Sequence, residues 1–113
     1  MLVVALAALA LAGPPPAAID GKRLAVSSWC WGTKCGAPIA AATRIVRVHR
    51  GATVRVTLAF DPTDARLTIA GRPQPVSGRG HELDLRATRS GGISLRVTSP
   101  HGWVTYVGRL AVV

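Results

Sequence analysis

The sequence predicts an all-β protein, a small antiparallel β-sandwich of about seven strands with immunoglobulin-like order; a small β-barrel is the alternative. Apolar and polar residues alternate with a period of two along most of the chain, and no stretch after residue 20 has a helical period. Turn-forming residues interrupt this alternation at roughly regular intervals, as in β-sandwiches. A length of 113 residues corresponds to a single domain.

Seven segments carry the alternating pattern. The clearest is residues 53–60, where one face carries Val54, Val56, Leu58 and Phe60 and the other carries Thr53, Arg55 and Thr57. The other predicted strands are residues 24–31, 44–49, 65–70, 81–86, 93–98 and 103–113. Residues 61–64 predict a turn, because Pro62 fixes φ at its second position. Residues 71–80 are rich in Gly and Pro and predict a loop.

The N-terminal segment is typical of a secretory signal peptide. The apolar run Leu2–Ala12 is too short for a membrane span, which needs about 20 residues. Small residues permit cleavage before Gly13 or before Ile19. We predict a signal peptide over residues 1–18 and a single domain over residues 19–113, with residues 13–20 as a flexible tether. An uncleaved signal that anchors the protein in the membrane is the alternative.

Composition indicates a bacterial protein with a strong positive charge. The chain has 14 basic and 5 acidic side chains, a formal net charge of +9, and only Lys22 and Lys34 among the basic residues are lysines. Abundant Ala, Gly, Val and Arg is typical of GC-rich coding. Because residues 1–18 are predicted to be a secretory signal peptide, we expect the protein to be exported, either secreted or associated with the bacterial cell envelope.

The two cysteines predict a disulfide bond. Cys30 and Cys35 are separated by four residues that include Gly32, which can form a turn. Outside the cytoplasm an even number of cysteines favours a structural disulfide. A redox pair is the alternative, but redox motifs use the C-x-x-C spacing beside a helix. Two cysteines with no nearby His or Asp do not predict a metal site.

The same segment resembles a group of exported proteins. Ser28-Trp29-Cys30-Trp31, then Cys35 and the glycine-led strand at Gly51-Ala52-Thr53-Val54, are similar to short exported bacterial proteins with an aromatic-Cys-Trp motif and a second Cys close behind. That group ends on an aromatic-containing strand, here Trp103–Val107. The resemblance implies an exported β-sandwich, and it implies no activity or ligand. Its members are often lipoproteins, whereas this chain has Pro14 where a lipidated Cys would stand.

No catalytic or cofactor site is predicted. His49, His81 and His101 lie far apart in the sequence and show no metal-ligand spacing. The acidic residues lie in a turn or alternate with leucine on a strand, which favours turn and surface roles over a glycosidase pair. No serine-nucleophile or phosphate-binding motif is present. We therefore expect a protein that is not an enzyme and carries no cofactor or metal.

The arginines suggest a binding face. Arg55, Arg96 and Arg109 share outward parity on three predicted strands, which we expect to be neighbours in one sheet, and Trp103 has the same parity. Such a face could bind an anionic envelope polymer or an acidic protein. The alternative is a set of solvated arginines that reflects composition alone. Nucleic acid is not expected as a partner, because no nucleic-acid-binding module is recognisable.

The tryptophans admit two interpretations. Trp29 and Trp31 share a parity on either side of Cys30, so they either pack on the disulfide or form an exposed platform for a sugar. The function predicted overall is a binding or interaction module at the bacterial cell envelope. The alternatives are a structural or accessory domain of an envelope complex and, more distantly, a carbohydrate-binding module. The sequence gives no oligomeric state.

Overall fold

The computed structural model describes residues 14–36 and 45–113, and the regular structure in these ranges is entirely β-strand. The strands are β1 (Ala17–Ile19), β2 (Lys22–Arg23), β3 (Ala25–Trp31), β4 (Lys34–Gly36), β5 (Ile45–Val48), β6 (Thr53–Leu58), β7 (Asp64–Ile69), β8 (Arg72–Gln74), β9 (Ser77–Arg79), β10 (Glu82–Arg86), β11 (Gly91–Ser99) and β12 (Gly102–Val112). Over the described residues, no helix of the length and apolarity needed to cross a membrane is found. The predicted signal peptide lies largely outside these ranges.

The strands form two sheets with the predicted immunoglobulin-like order. The small sheet has the order β2-β1-β6-β10-β9, and the large sheet has the order β4-β3-β12-β11-β7-β8, with β5 parallel to the second half of β12. Within them, β1-β6-β10-β9 and β7-β11-β12 reproduce the A-B-E-D and C-F-G strand orders of an immunoglobulin domain. The described strands do not close into a barrel, so the sandwich prediction is confirmed.

One hydrophobic core lies between the sheets. Alternate residues of both sheets point into it, as the period-two pattern predicts. The small sheet contributes Val54 and Leu83, and the large sheet contributes Leu67, Leu95 and Val104, all of them buried. Because the inward residues are identified by burial, the residues between them on each strand must point outward to solvent.

The N-terminal strand is part of this core, which corrects the predicted flexible tether. Ala17 and Ile19 of β1 are buried, and β1 pairs with β6 along its whole length. Asp20 and Gly21 both have positive φ and form the tight turn that returns the chain into β2. The prediction that residues 13–20 are a free linker is therefore wrong for residues 17–19.

Tyr106 connects the segment before β1 to the centre of the large sheet. Its side chain is fully buried, and its hydroxyl donates a hydrogen bond to the carbonyl oxygen of Pro15 at 2.7 Å. Burial raises the pKa of Tyr106 well above the ordinary value of tyrosine. This contact spans 91 residues of sequence and holds the chain N-terminal to β1 against the sandwich.

The predicted loop over residues 71–80 contains two short strands. β8 forms a hairpin with β7 through Ala70 and Gly71, both of which have positive φ. β9 pairs with β10 at the edge of the small sheet. The seven predicted strands are all present, and the additional strands of the described residues have only two or three residues each. Gly and Pro therefore predicted the turns correctly, but the short edge strands between them were assigned to a loop.

Candidate anion-binding face

Most side chains on the outer face of the large sheet, the face that points away from the core, are polar or charged, and Ile45 beside Arg109 is an exposed apolar residue on it. Strand alternation and the register of the sheet place on it Arg47, Asp64, Arg66, Thr68, Ser94, Arg96, Thr98, Trp103, Thr105 and Arg109. Arg66, Arg96 and Thr105 are register partners on three adjacent strands, so they form one row across the sheet. Arg109 pairs with Ile45, and Arg47 follows two residues later on β5.

Arg96 and Trp103 form the best-defined contact on this face. The guanidinium carbon of Arg96 lies 4.2 Å from the centroid of the Trp103 ring, which is cation–π geometry. Such a contact at an exposed site contributes about 0.5–1 kcal/mol. Its main consequence here is position, because it holds the Arg96 guanidinium over the Trp103 ring.

The charge on this face is strongly unbalanced. The sequence has five acidic side chains, and all of them lie within the described residues. Only Asp64 lies on the outer face of the large sheet, where it contacts Arg66 with an Oδ2–Nε distance of 3.2 Å. Across residues 14–36 and 45–113, neither Arg96, Arg109 nor Arg47 forms an ion pair. Four arginines on this face are therefore exposed to solvent, and Asp64 supplies the single carboxylate beside them.

Arg55 does not belong to this face, which corrects the predicted grouping. It lies on β6 in the small sheet, whereas Arg96 and Arg109 lie on β11 and β12 in the large sheet. The reason is that the segment after β6 crosses to the other sheet instead of forming a hairpin. Arg55 also contacts Glu82 at 2.9 Å and Asp84 at 3.2 Å. Its hydrogen bond to Asp84, with the charges of Asp84 and Glu82, raises its pKa, and the two carboxylates compensate its charge.

Trp29 and Trp31 point toward the core side of the large sheet. Both are partly buried and pack against the hydrophobic core. The Trp31 ring meets Phe60 edge-on at 4.9 Å between centroids and lies 5.8 Å from the His101 ring. The Trp29 indole lies against Gly36, its register partner on β4, where any side chain would overlap it. The two rings are packed on the core and not on the disulfide, so they do not form a flat exposed platform.

The disulfide Cys30–Cys35 is formed, as predicted. It joins register partners on β3 and β4 and therefore closes a hairpin at the edge of the large sheet. Cys30 is also the register partner of Trp103, so the disulfide lies on the outer face beside the tryptophan. The disulfide thus stabilises the sheet edge next to the Arg96–Trp103 pair.

The histidines are dispersed over the ends of the sandwich. His81 lies 3.7 Å from Asp61 and 3.9 Å from Glu82 at one end, where it is exposed to solvent. Within the part of the chain that the structure describes, no three His, Cys, Asp or Glu side chains are placed to hold a metal ion.

The sequence analysis did not include Arg66 and Arg47 in the basic face. Strand alternation could have found them, because each is next to a buried residue, Leu67 and Val46 respectively, and therefore points outward.

Comparison with known proteins adds no assignment: no protein-family model matches the chain, and no curated protein matches it significantly.

Proposed function

We propose that the protein is an exported binding module, without enzymatic activity, that attaches to an anionic polymer of the bacterial cell envelope. It does so through the outer face of the large sheet, with Arg96, Arg109, Arg66 and Arg47 as cations. The observation that carries the proposal is the group of four exposed arginines on the outer face of the large sheet, which share the single carboxylate of Asp64. On the small sheet, Glu82 and Asp84 pair with Arg55.

The placement of the arginines suits an extended ligand better than a compact one. Strands rise about 3.4 Å per residue and lie about 4.8 Å apart, so the row from Arg66 through Arg96 and Arg109 to Arg47 runs diagonally over roughly 25 Å. No single small anion bridges that length. A linear polymer with repeated negative charges can contact every arginine in turn, and these contacts add together.

Export is supported by two features of the chain. The apolar Leu2–Ala12 run is typical of a signal peptide, and the disulfide Cys30–Cys35 is compatible with an oxidising compartment. An exported protein with net charge +9 meets the anionic polymers of the envelope directly.

Retention on isolated cell envelope tests the proposal. The chain from residue 13 is produced in an oxidising compartment and incubated with envelope from a GC-rich bacterium at low and high salt. We expect retention at low salt that falls as salt screens the exposed charges. The double variant Arg96→Gln/Arg109→Gln should lose most of it.

The matched control removes equal charge from the other sheet. Arg79 and Arg86 lie on β9 and β10 of the small sheet and are exposed, so Arg79→Gln/Arg86→Gln has the same net charge as the test variant. This control should retain binding. Equal loss in both variants would mean that net charge alone acts, and absence of retention at any salt would refute the proposal in favour of a protein partner.

A further inference from the structure

We infer that one end of the sandwich attaches the domain to an anionic phospholipid bilayer. This surface, the basic end, consists of the turns that connect β5 to β6, β7 to β8 and β10 to β11, together with the last residues of β12. The inference goes beyond the proposed function, because it concerns another surface of the domain and another kind of partner. The export of the chain is the premise that the two proposals share.

Positive charge is concentrated at the basic end. Six arginines of the described residues lie in its turns or in the strand ends beside them: Arg47, Arg50, Arg72, Arg86, Arg89 and Arg109. Across residues 14–36 and 45–113, none of the six forms an ion pair. Backbone hydrogen bonds join the turns, from the N–H of Gly51 to Ala87 at 2.8 Å and from the N–H of Ala70 to Gly92 at 3.0 Å. The turns that carry these arginines therefore lie together.

The acidic side chains lie elsewhere in the domain. Asp61, Asp64 and Glu82 are at the opposite end, and Asp20 and Asp84 are beside Arg55 in the small sheet. The strand β7 runs from Asp64 to Ile69 at the basic end, a distance of about 17 Å. This is about two Debye lengths at physiological salt, so the distant carboxylates compensate little of the charge at the basic end.

The arginines of the basic end come from both sheets, which suits a plane better than a line. Arg86 is on the small sheet and Arg72 is on the large sheet, and stacked sheets lie about 10 Å apart. The Nη1 of Arg50 donates to the carbonyl oxygen of Thr88 at 3.2 Å, which holds Arg50 against the turn that carries Arg89. A polymer that follows the outer face of the large sheet does not reach the small sheet, whereas a flat anionic surface can contact the whole end.

Exposed apolar side chains favour a bilayer over a hydrated polyanion. Guanidinium groups bind phosphate and carboxylate alike, so the arginines alone do not make this choice. Ile45 and Val113 are the large hydrophobic residues that the described part of the chain exposes, by 53% and 71%. Ile45 is the register partner of Arg109, and the carbonyl of Val113 accepts the N–H of Arg50, so both lie at the basic end. A bilayer buries apolar side chains beneath its charged headgroups, whereas a hydrated polymer leaves them in water.

Binding to lipid vesicles tests the inference. The chain from residue 13 is sedimented with vesicles of phosphatidylcholine alone or of phosphatidylcholine mixed with phosphatidylglycerol, at low and high salt. We expect binding to the mixed vesicles that weakens as salt screens the charges. The double variant Arg50→Gln/Arg72→Gln should weaken this binding about twentyfold, since each cation near an anionic membrane contributes a factor of about five.

The matched control removes equal charge away from the basic end. Arg23 and Arg79 are exposed on β2 and β9, so Arg23→Gln/Arg79→Gln has the same net charge as the test variant. It should change vesicle binding by less than about threefold, because exposed charges beyond a Debye length from the membrane are screened. Equal loss of binding in the two double variants would show that net charge alone acts, and would overturn the inference.

Ile45→Ser separates a bilayer from an acidic polymer or protein. It leaves every charge in place and should weaken vesicle binding about fivefold, because about half of an isoleucine side chain is no longer buried in the membrane. Binding to poly-glutamate should be unchanged by this substitution, and Ile45→Leu should bind vesicles as the parent chain does. Vesicle binding that is unaffected by Ile45→Ser would overturn the inference in favour of an acidic polymer or protein as the partner.

Absence of binding to the mixed vesicles at low salt would also overturn the inference. Envelope material freed of lipid separates this failure from that of the proposed function, because retention through Arg96 and Arg109 needs no bilayer. Arg50 and Arg72 lie outside the outer face of the large sheet, so their substitution should leave retention on lipid-free envelope intact. Each proposal can therefore fail without the other.

Discussion

Removal of residues 13–18 tests whether the N-terminal strand belongs to the folded domain. Two chains are compared, one starting at residue 13 and the other at Ile19. The shorter chain lacks Pro15, which accepts the Tyr106 hydrogen bond, and Ala17, whose carbonyl accepts the backbone N–H of Leu24 at 2.9 Å. The two chains correspond to the two candidate cleavage sites of the signal peptide, one before Gly13 and the other before Ile19.

The magnitude follows from the contacts that are lost. Backbone hydrogen bonds of the deleted residues contribute about 1 kcal/mol each, and ordering each residue costs about 1–2 kcal/mol, so these terms nearly cancel. The buried Tyr106 hydroxyl, however, loses its only partner among the described residues, which costs about 1–3 kcal/mol. Loss of the buried Ala17 side chain opposite Leu58 costs about 1 kcal/mol more. We expect the shorter chain to be less stable by about 2–4 kcal/mol, a large part of the 5–15 kcal/mol typical of a domain.

The substitution Tyr106→Phe isolates the hydrogen bond in a thermodynamic cycle. In the longer chain it should cost about 1 kcal/mol, because the bond to Pro15 is lost. In the shorter chain it should be neutral or stabilising, because it removes a hydroxyl that is buried without a partner. Urea unfolding followed by tryptophan fluorescence measures all four free energies of unfolding.

Two results would refute this reasoning. An equal cost of Tyr106→Phe in both chains would show that the hydroxyl gains nothing from Pro15. Equal stability of the two chains would show that β1 does not stabilise the domain. If β1 does stabilise it, export should yield a protein that begins at Gly13, because the cut before Ile19 removes two of the three residues of the strand. Mass spectrometry of the exported protein decides between the two sites.

Three further predictions concern the core and the sheet edge. The contribution of Tyr106 to the free energy of unfolding should be constant up to about pH 10 and fall above it, because the unfolded chain ionises Tyr106 before the folded protein does. The phenolate absorbance of this single tyrosine and the urea midpoints, measured over the same pH range, check this order. Substitution of Cys30 and Cys35 by serine should cost about 2 kcal/mol, the entropy of a small closed loop, and an unchanged urea midpoint would contradict this. Gly36→Ala should cost about 1–3 kcal/mol because its Cβ overlaps Trp29, with a change in tryptophan fluorescence, and an unchanged midpoint would mean that the indole moves aside.

Period-two alternation was sufficient to predict the long strands, since one face of each is buried and the other is solvated. It failed where strands have two or three residues, too few to show a period. β1 and β2 were missed although Asp20-Gly21 is a strong hairpin signal, because proline precedes them and suggested a tether. β9 was missed because it contains Gly78, whose positive φ and close approach to Glu82 require glycine, a residue that indicates a turn in the sequence.

The outer face of the large sheet shows what strand parity predicts and what it leaves open. Parity assigned Arg55, Arg96 and Arg109 outward, and each of them is exposed. It could not say which sheet each strand joins, because that depends on whether the following segment forms a hairpin or crosses to the other sheet. The crossing after β6 separates Arg55 from the others, and the register of β7 with β11 brings Arg66 opposite Arg96. An arginine cluster in a sandwich is therefore a property of strand order, and the same outward arginines acquire or lose carboxylate partners according to the sheet they join.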